Sequence, residues 1–314
     1  YSRTTKIMDS INLDMFLSNA HALILQGDVY NGMDTIVKGL KLRRIASSDD
    51  DWRNFVTSEL MTHPIKNLVH LCPFTSHSFY KPRGYAGDAQ LIDFIYNEGT
   101  AKDIKLEGIA LEIAKYTCNA PAARAVRYRR ELLALRIEET VMNEENPFIL
   151  SIAAGHLREI ELSPSALTGK IGRFHAIDQD KDSVALMQRE YGRYNVSASV
   201  GSVRQLLSGK IKFSGLSLVY AAGLFDYLVD KLAQRLIEVM FSFLKPGGRM
   251  LVANFLPNLP DVGYMESYMD WFLIFRSSKE LLELFETLPQ NSLDSLVVSF
   301  DPDENIVFVE AIKK

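Results

Sequence analysis

Hydrophobic positions change their spacing along the chain near residue 146. Before that point they recur every three or four residues, as at Leu13, Phe16 and Ala20, which is the period of an amphipathic helix. After it, short apolar runs alternate with helical stretches. The pattern predicts a helical N-terminal domain over 1–145 and an alternating α/β domain over 146–314.

Polar punctuation refines the helices of the N-terminal half. The acidic residues Asp50 and Asp51 before Trp52 are typical of a first helical turn. The segment Asn119–Pro121 predicts the end of one helix, and residues 122–141 read as a long second helix. Four arginines of that helix stand close together in the sequence: Arg124, Arg127, Arg129 and Arg130.

Apolar runs in the second half predict seven strands. Five of them alternate with helices, at residues 149–153, 173–178, 197–200, 216–221 and 249–255. Strands separated by helices pair in parallel through right-handed crossovers. The last two runs, 295–300 and 306–312, are joined by a connection too short for a helix, so they must be antiparallel. The prediction is a mostly parallel sheet that ends in an antiparallel hairpin.

Two neighbouring strands end in residues that suit a nucleoside. The first runs into Ala153, Ala154 and Gly155, and the second ends on Asp178. Small residues let the backbone approach a ligand, and a carboxylate one strand away can hold ribose hydroxyls. A single glycine, in place of Gly-x-Gly-x-x-Gly, disfavours a pyrophosphate-containing dinucleotide. A ligand-free tight turn and a helix cap are the alternatives, and Asp180 is the expected cap.

Further candidates follow the same strand ends. We predict cofactor contacts at Gln179, Ser202, Val203 and Ala221, since ligands of open parallel sheets bind outside the carboxyl ends of the strands. A polar loop is the alternative at Ser202. No histidine or cysteine pairing has the spacing of a metal site.

Catalytic candidates lie near the fourth strand and in the long helix. Asp226 and Tyr227 follow the fourth strand, where they serve catalysis or cap the next helix. Arginine binds carboxylates through two parallel hydrogen bonds, and Arg127 is the predicted ligand-binding member of its cluster. A solvated helix face is the alternative for these arginines.

One turn-rich segment lies between helices of the N-terminal half, over residues 79–88. It holds two tyrosines, an arginine and two glycines, a composition that suits a lid over a site. We predict a catalytic contact at Tyr85 and substrate contacts at Tyr80 and Arg83. Aromatic rings there would also favour a sulfonium cation.

A Pro246-Gly247-Gly248 turn precedes the fifth strand and completes a recognisable order of segments. From about residue 148 to 314 the chain resembles class I S-adenosylmethionine-dependent methyltransferases. The resemblance implies a Rossmann-like sheet and S-adenosyl-L-methionine as the cofactor. It also implies that Gly155 and Asp178 bind the cofactor.

Four segments resemble a narrower group, at residues 79–88, 150–159, 222–228 and 270–276. This bacterial subgroup is associated with the synthesis of an extracellular factor, 3-hydroxypalmitic acid methyl ester. The resemblance adds Trp271 and Arg276 as predicted substrate contacts.

The expected function is methyl transfer to an oxygen, carboxylate or hydroxyl, of a small-molecule or lipid-like acceptor. A carboxylate nucleophile needs no general base, unlike a poorly acidic hydroxyl or a protonated amine. Two alternatives stay open: N-methylation of an amino-acid or natural-product amine, and a non-catalytic cofactor-binding regulator.

Composition narrows the setting. The chain has 314 residues, 47% of them hydrophobic, and a formal net charge of -4, which argues against nucleic acid as a partner. Its two cysteines, Cys72 and Cys118, favour a reducing, cytoplasmic compartment over a disulfide framework. No apolar run is long enough for a membrane span. A homodimer is left open, and so is excision from a larger protein.

Overall fold

The computed structural model describes residues 15–98 and 105–314, so the helical position Leu13 lies outside the described residues. Two compact units make up the chain. We call Tyr1–Arg124 with Asn258–Phe272 the helical unit, and Ala125–Pro257 with Leu273–Lys314 the sheet unit. The first boundary between the units falls within the long helix, after Arg124, and the later segment Asn258–Phe272 belongs to the helical unit. The sequence analysis predicts a single boundary at residue 145.

Helices occupy most of the helical unit. The α-helices of the described chain are α1 (15–25), α2 (Val29–Ala46), α3 (Asp49–Phe55), α4 (Ile65–Val69), α5 (Pro73–Tyr80), α6 (Ala89–Tyr96), α7 (Gly108–Cys118), α8 (Pro121–Asn143), α9 (Pro164–Leu167), α10 (Lys181–Tyr191), α11 (Val203–Leu207), α12 (Asp230–Phe243), α13 (Val262–Tyr268) and α14 (Ser278–Glu283). A π-helical turn, Val56–Leu60, continues α3. The helix boundary at Pro121 and the acidic first turn before Trp52 are confirmed.

The sheet unit contains the strands β1 (Phe148–Ile152), β2 (Arg173–Asp178), β3 (Val196–Val200), β4 (Leu216–Ala221), β5 (Leu244–Phe255), β6 (Leu293–Phe300) and β7 (Ile306–Lys313). Their order across the sheet is β3-β2-β1-β4-β5-β7-β6. The first five pair in parallel, and β7 pairs antiparallel with both β5 and β6. The α/β class and the mostly parallel, Rossmann-like sheet with its antiparallel C-terminal pair are therefore confirmed.

Helix α12 shows how the sequence builds the core beside this sheet. Its buried residues Ala233, Leu236, Ile237 and Met240 follow the three- and four-residue spacing of one helix face. They pack in a cluster with residues of β1, β4, β5 and β7. Full burial of each of the three larger side chains, Leu236, Ile237 and Met240, contributes about 1.5–3 kcal/mol relative to exposure.

The Pro-Gly-Gly segment lies inside β5, although the sequence places it before the strand. Leu244 already pairs with Leu216, and the register shifts before Arg249 pairs with Leu218. Gly247 adopts a positive φ of 76°. Any Cβ on Gly248 would lie 2.6 Å from the carbonyl oxygen of Leu216, so only glycine fits this close approach.

No helix within the described residues is long and apolar enough to span a membrane.

Candidate functional site

The carboxyl ends of the parallel strands meet along one edge of the sheet unit. Ile152 at the end of β1 pairs with Ile177, and Asp178 at the end of β2 pairs with Val200. At the end of β4, Ala221 pairs with Val252. Open α/β sheets bind ligands at this edge, where the strand order reverses on either side of the first strand. Here β1 lies between β2 and β4, which places the reversal at the loop after β1.

The loop after β1 has an unusual backbone. Ala153, Gly155 and Leu157 all have positive φ, at 53°, 58° and 54°. The left-handed conformation costs a residue other than glycine on the order of 1–2 kcal/mol, and such strain concentrates at functional sites. Ala154 anchors the loop by donating its N–H to the carbonyl oxygen of Ile177, at 3.1 Å.

Asp178 closes this loop from the neighbouring strand. One carboxylate oxygen accepts the N–H of Gly155 at 2.8 Å, and the other accepts the N–H of Asp180 at 2.8 Å. Burial raises the pKa of Asp178, and these two backbone N–H groups oppose the rise. A carboxylate has about four lone-pair positions, so two remain for further donors such as hydroxyls. The side chain is 6% exposed.

The four other predicted cofactor contacts follow or end the strands at this edge, beside the predicted cap Asp180. Asp180 caps α10, as the sequence predicted. Ser202 forms a capping box with Gln205 at the start of α11, with Val203 next to it. Gln179 is exposed, whereas Ala221 is fully buried at the end of β4. Their cofactor contacts stay predictions.

Asp226 lies in a buried polar network after β4. Its carboxylate accepts the backbone N–H of Phe255 at 2.7 Å. Burial raises the pKa of Asp226 to about 6, opposed by that hydrogen bond and by the charges of Arg129 and Arg276. The neighbouring Tyr227 is 41% exposed. The contacts give Asp226 a structural role, and catalytic roles for both residues stay predictions.

Arg276 is surrounded by acceptors of the sheet unit. Its guanidinium donates to the carbonyl oxygens of Phe225 and Leu228, to the side chain of Asn254 and to Asp230. The side chain is 3% exposed. These bonds tie the segment after β4 to the end of β5, and contact with substrate stays a prediction.

The arginines of α8 differ in burial. Arg127, the predicted ligand-binding residue, is half-buried. Arg129 is buried and donates from Nη1 to the carbonyl oxygen of Ala222 at 2.8 Å, one residue after β4. This difference has a signal in the sequence, since Arg129 follows Ala125 and Val126 at the three- and four-residue spacing of the buried face.

The turn-rich segment of the helical unit is fastened at both ends. His77 in α5 contacts Asp88 through Nε2 at 2.8 Å, and the other oxygen of Asp88 caps α6. Between them, Lys81 forms an ion pair with Asp270 at 2.5 Å. The helix–loop–helix arrangement predicted here is confirmed.

The predicted acceptor contacts of the helical unit differ in exposure. Tyr80 is 69% exposed, Arg83 and Tyr85 are half-buried, and Trp271 is 5% exposed. Their roles toward an acceptor stay predictions.

A further buried carboxylate, beside the loop after β1, was not predicted. Glu159 follows the loop after β1 and accepts a hydrogen bond from the hydroxyl of Tyr220, at 2.5 Å. Burial raises the pKa of Glu159, and the charges of Arg129 and Arg130 are among the effects opposing the rise. Within the described residues, no group of three or more His, Cys, Asp and Glu side chains is placed to hold a metal ion.

Comparison with known proteins gives structural matches alone: no family model and no curated protein sequence matches the chain. A possible exported protein from Bordetella parapertussis aligns over 100% of this chain and 99% of its own, at 16% identity and a TM-score of 0.58. The N-methyltransferase NodS from Bradyrhizobium japonicum, in complex with S-adenosyl-l-homocysteine, aligns over 71% of this chain and 97% of its own, at 15% identity and a TM-score of 0.42. Magnesium protoporphyrin IX methyltransferase from Synechocystis, with bound S-adenosylhomocysteine, aligns over 72% and 96%, at 9% identity and a TM-score of 0.47. At such low identity, the full-length match to the Bordetella protein establishes a shared fold and nothing about chemistry.

Proposed function

We propose that this protein is an S-adenosyl-L-methionine-dependent methyltransferase that acts on an oxygen of a small or acyl acceptor in the cytoplasm. The observation that carries the proposal is the closure of the loop after β1 by Asp178, through the N–H of Gly155. This contact joins a small-residue loop to a carboxylate at the sheet edge where the strand order reverses. The sequence resemblance to class I methyltransferases points to the same two residues.

The residues present fit such a cofactor. Asp178 has lone pairs left for the two ribose hydroxyls after it accepts its backbone donors. Small residues at the ends of β1 and β4, such as Ala153 and Ala221, place no long side chain over the edge. When bound, the cofactor supplies an electrophilic methyl group on a sulfonium. The protein's share of the chemistry is to hold the acceptor oxygen in line with that group and to exclude water.

A carboxylate is the acceptor that this site can methylate without a general base. It is ionised at neutral pH and needs no proton removed, whereas a hydroxyl or an ammonium group requires a base. Asp178 is engaged by backbone donors, and Asp226 is buried against Phe255. The resemblance to the subgroup that forms 3-hydroxypalmitic acid methyl ester points to the same acceptor class. Tyr227, which is exposed after β4, is proposed to help position it.

A methyl-transfer assay tests the proposal. The purified protein is incubated with methyl-labelled S-adenosylmethionine and one of three acceptors: 3-hydroxypalmitic acid, the matching diol, or a long-chain amine. The proposal expects label in the methyl ester of the acid. Transfer to the amine would favour N-methylation, and cofactor binding without transfer to any acceptor would favour the regulatory alternative.

A further inference from the structure

A buried arginine at the carboxyl edge has donors that the fold leaves unused. Arg129 of α8 is 8% exposed. Among the described residues, its guanidinium makes one hydrogen bond, from Nη1 to the carbonyl oxygen of Ala222. Its other N–H groups are not among the fully buried side-chain atoms that lack a hydrogen-bond partner. They therefore retain some exposure to solvent. A guanidinium carries five donors in a planar fork, which leaves most of this one available.

Arg276 shows how this fold treats an arginine with a purely internal role. That side chain is buried to a similar degree, and its Nε, Nη1 and Nη2 all donate to protein acceptors. Arg136, also of α8, holds the carboxylate of Glu310 with Nε and Nη2. Within the described residues, Arg129 therefore differs from the buried Arg276 and the half-buried Arg136, because most of its N–H groups have no protein acceptor.

The charge of Arg129 is also not neutralised by direct contact within the described residues. The two nearby buried carboxylates are held by other donors: Glu159 by the hydroxyl of Tyr220, and Asp226 by the N–H of Phe255. Both attract the guanidinium at longer range. These attractions hold the guanidinium in place and leave its open N–H groups for a further anion.

The residue beside the guanidinium is small and exposed to solvent. Gly223 follows Ala222, and a methyl group placed on Gly223 would lie 3.6 Å from Nη2 of Arg129. A glycine at this point leaves the guanidinium reachable. Since β1 separates β4 from β2, Arg129 is tied to a strand end two spacings, roughly 10 Å, from the one that carries Asp178.

We infer that Arg129 is the carboxylate-binding residue of this site, an inference that rests on the proposed function. A planar fork with two open N–H groups matches the two oxygens of a carboxylate. The carboxylate belongs either to the amino-acid end of the cofactor, with its ribose at Asp178, or to an acidic acceptor. Arg129 thus takes the ligand-binding role that was predicted for Arg127.

Calorimetric titration with two nucleosides tests this inference without requiring turnover. S-adenosylhomocysteine carries the amino-acid carboxylate, whereas 5′-methylthioadenosine has the same nucleoside and thioether without it. In Arg129→Gln we expect the affinity for S-adenosylhomocysteine to fall by roughly 10- to 100-fold and that for methylthioadenosine to change less than twofold. Arg129→Lys keeps the charge and is expected to lose several-fold. Arg130→Gln, at the next residue, is the matched control and should leave both affinities unchanged, because its guanidinium is engaged by Arg158 and Glu161.

The titrations give a different result if the carboxylate at Arg129 belongs to the acceptor. If Arg129 binds the acceptor, both nucleoside affinities stay unchanged, and binding of 3-hydroxypalmitic acid to the S-adenosylhomocysteine complex weakens in the variant. Equal loss for both nucleosides would reveal a merely structural role and overturn the inference, as would no change with any of the three ligands. Failure of the unmodified protein to bind either nucleoside would instead overturn the proposed function, and the inference with it.

Discussion

At the scale of single residues, the buried side chains of the sheet unit differ in how many of their hydrogen bonds the protein itself satisfies. Asp178 and Arg129 keep capacity for a ligand, whereas Arg276 uses its donors within the protein. The residue types and their strand ends could be predicted from sequence. Preferring Arg129 to Arg127 would have required placing an arginine on the buried face of α8. Charged residues are rarely buried, so the sequence pattern alone does not favour that placement.

Replacement of Asp178 by alanine tests its role toward ribose. We expect Asp178→Ala to weaken binding of S-adenosylhomocysteine by about 1–3 kcal/mol, or 5- to 150-fold, because hydrogen bonds to a charged group are lost. Calorimetry measures the change, and Asp180→Ala, which removes the cap of α10, is the control for local damage. Equal affinity losses in the two variants would argue against a ribose contact.

Because the backbone is strained at Ala153 but not at Ala154, we expect a glycine substitution to have opposite effects on stability at these two positions. Ala153→Gly relieves a left-handed φ, so we expect a free energy of unfolding that is unchanged or higher by up to about 1 kcal/mol. Ala154 lacks a positive φ, and Ala154→Gly should lower the free energy of unfolding by about 0.5–1 kcal/mol. Urea denaturation followed by circular dichroism compares them. A larger loss at Ala153 than at Ala154 would contradict the assigned backbone.

Asp226 predicts how stability depends on pH. Its pKa in the folded protein is raised to about 6 from 3.8. A raised pKa stabilises the fold below pH 4, and this contribution is lost as pH rises through 6. Relative to Asp226→Asn, the unmodified protein should lose about 2–3 kcal/mol between pH 4 and pH 7. Asp261, also shifted to about 6, cancels in this comparison because both proteins contain it. A difference independent of pH would contradict the shift.

At the scale of elements, alternation of apolar runs and helices was enough to predict the strands. It did not predict that β7 lies between β5 and β6, because hairpin connectivity alone leaves open which strand of the hairpin joins the sheet. The Pro-Gly-Gly segment was expected before β5 and lies within it, since pairing at Leu244 depends on the distant Leu216. Local composition identifies a bend, and the partner strand decides its register.

This irregular region of β5 predicts unequal costs at two adjacent glycines. Gly248→Ala brings a Cβ to 2.6 Å from the carbonyl oxygen of Leu216, so we expect a loss of roughly 2–4 kcal/mol in the free energy of unfolding. Gly247→Ala meets no atom within 4 Å and should cost about 1 kcal/mol for its positive φ. Denaturant midpoints of the two variants give the comparison. Similar losses would show that β5 does not approach β4 as described.

At the scale of the whole molecule, the fold and the site were predictable to different degrees. The α/β sheet follows from apolar periodicity spread over many residues, which tolerates local errors. The site depends on single side chains whose hydrogen bonds are set by residues far away in the sequence. Tyr220 and Glu159, 61 residues apart, illustrate the difference. The two units are likewise assembled from separate stretches of chain, since Asn258–Phe272, after β5, belongs to the helical unit.

We propose that the carboxyl edge of the sheet binds an adenosyl cofactor. Titration of the unmodified protein with S-adenosylhomocysteine in a calorimeter measures this binding. We predict binding of one molecule per chain with a micromolar dissociation constant. Absence of heat at millimolar ligand, from a protein whose circular dichroism shows it folded, would contradict the claim.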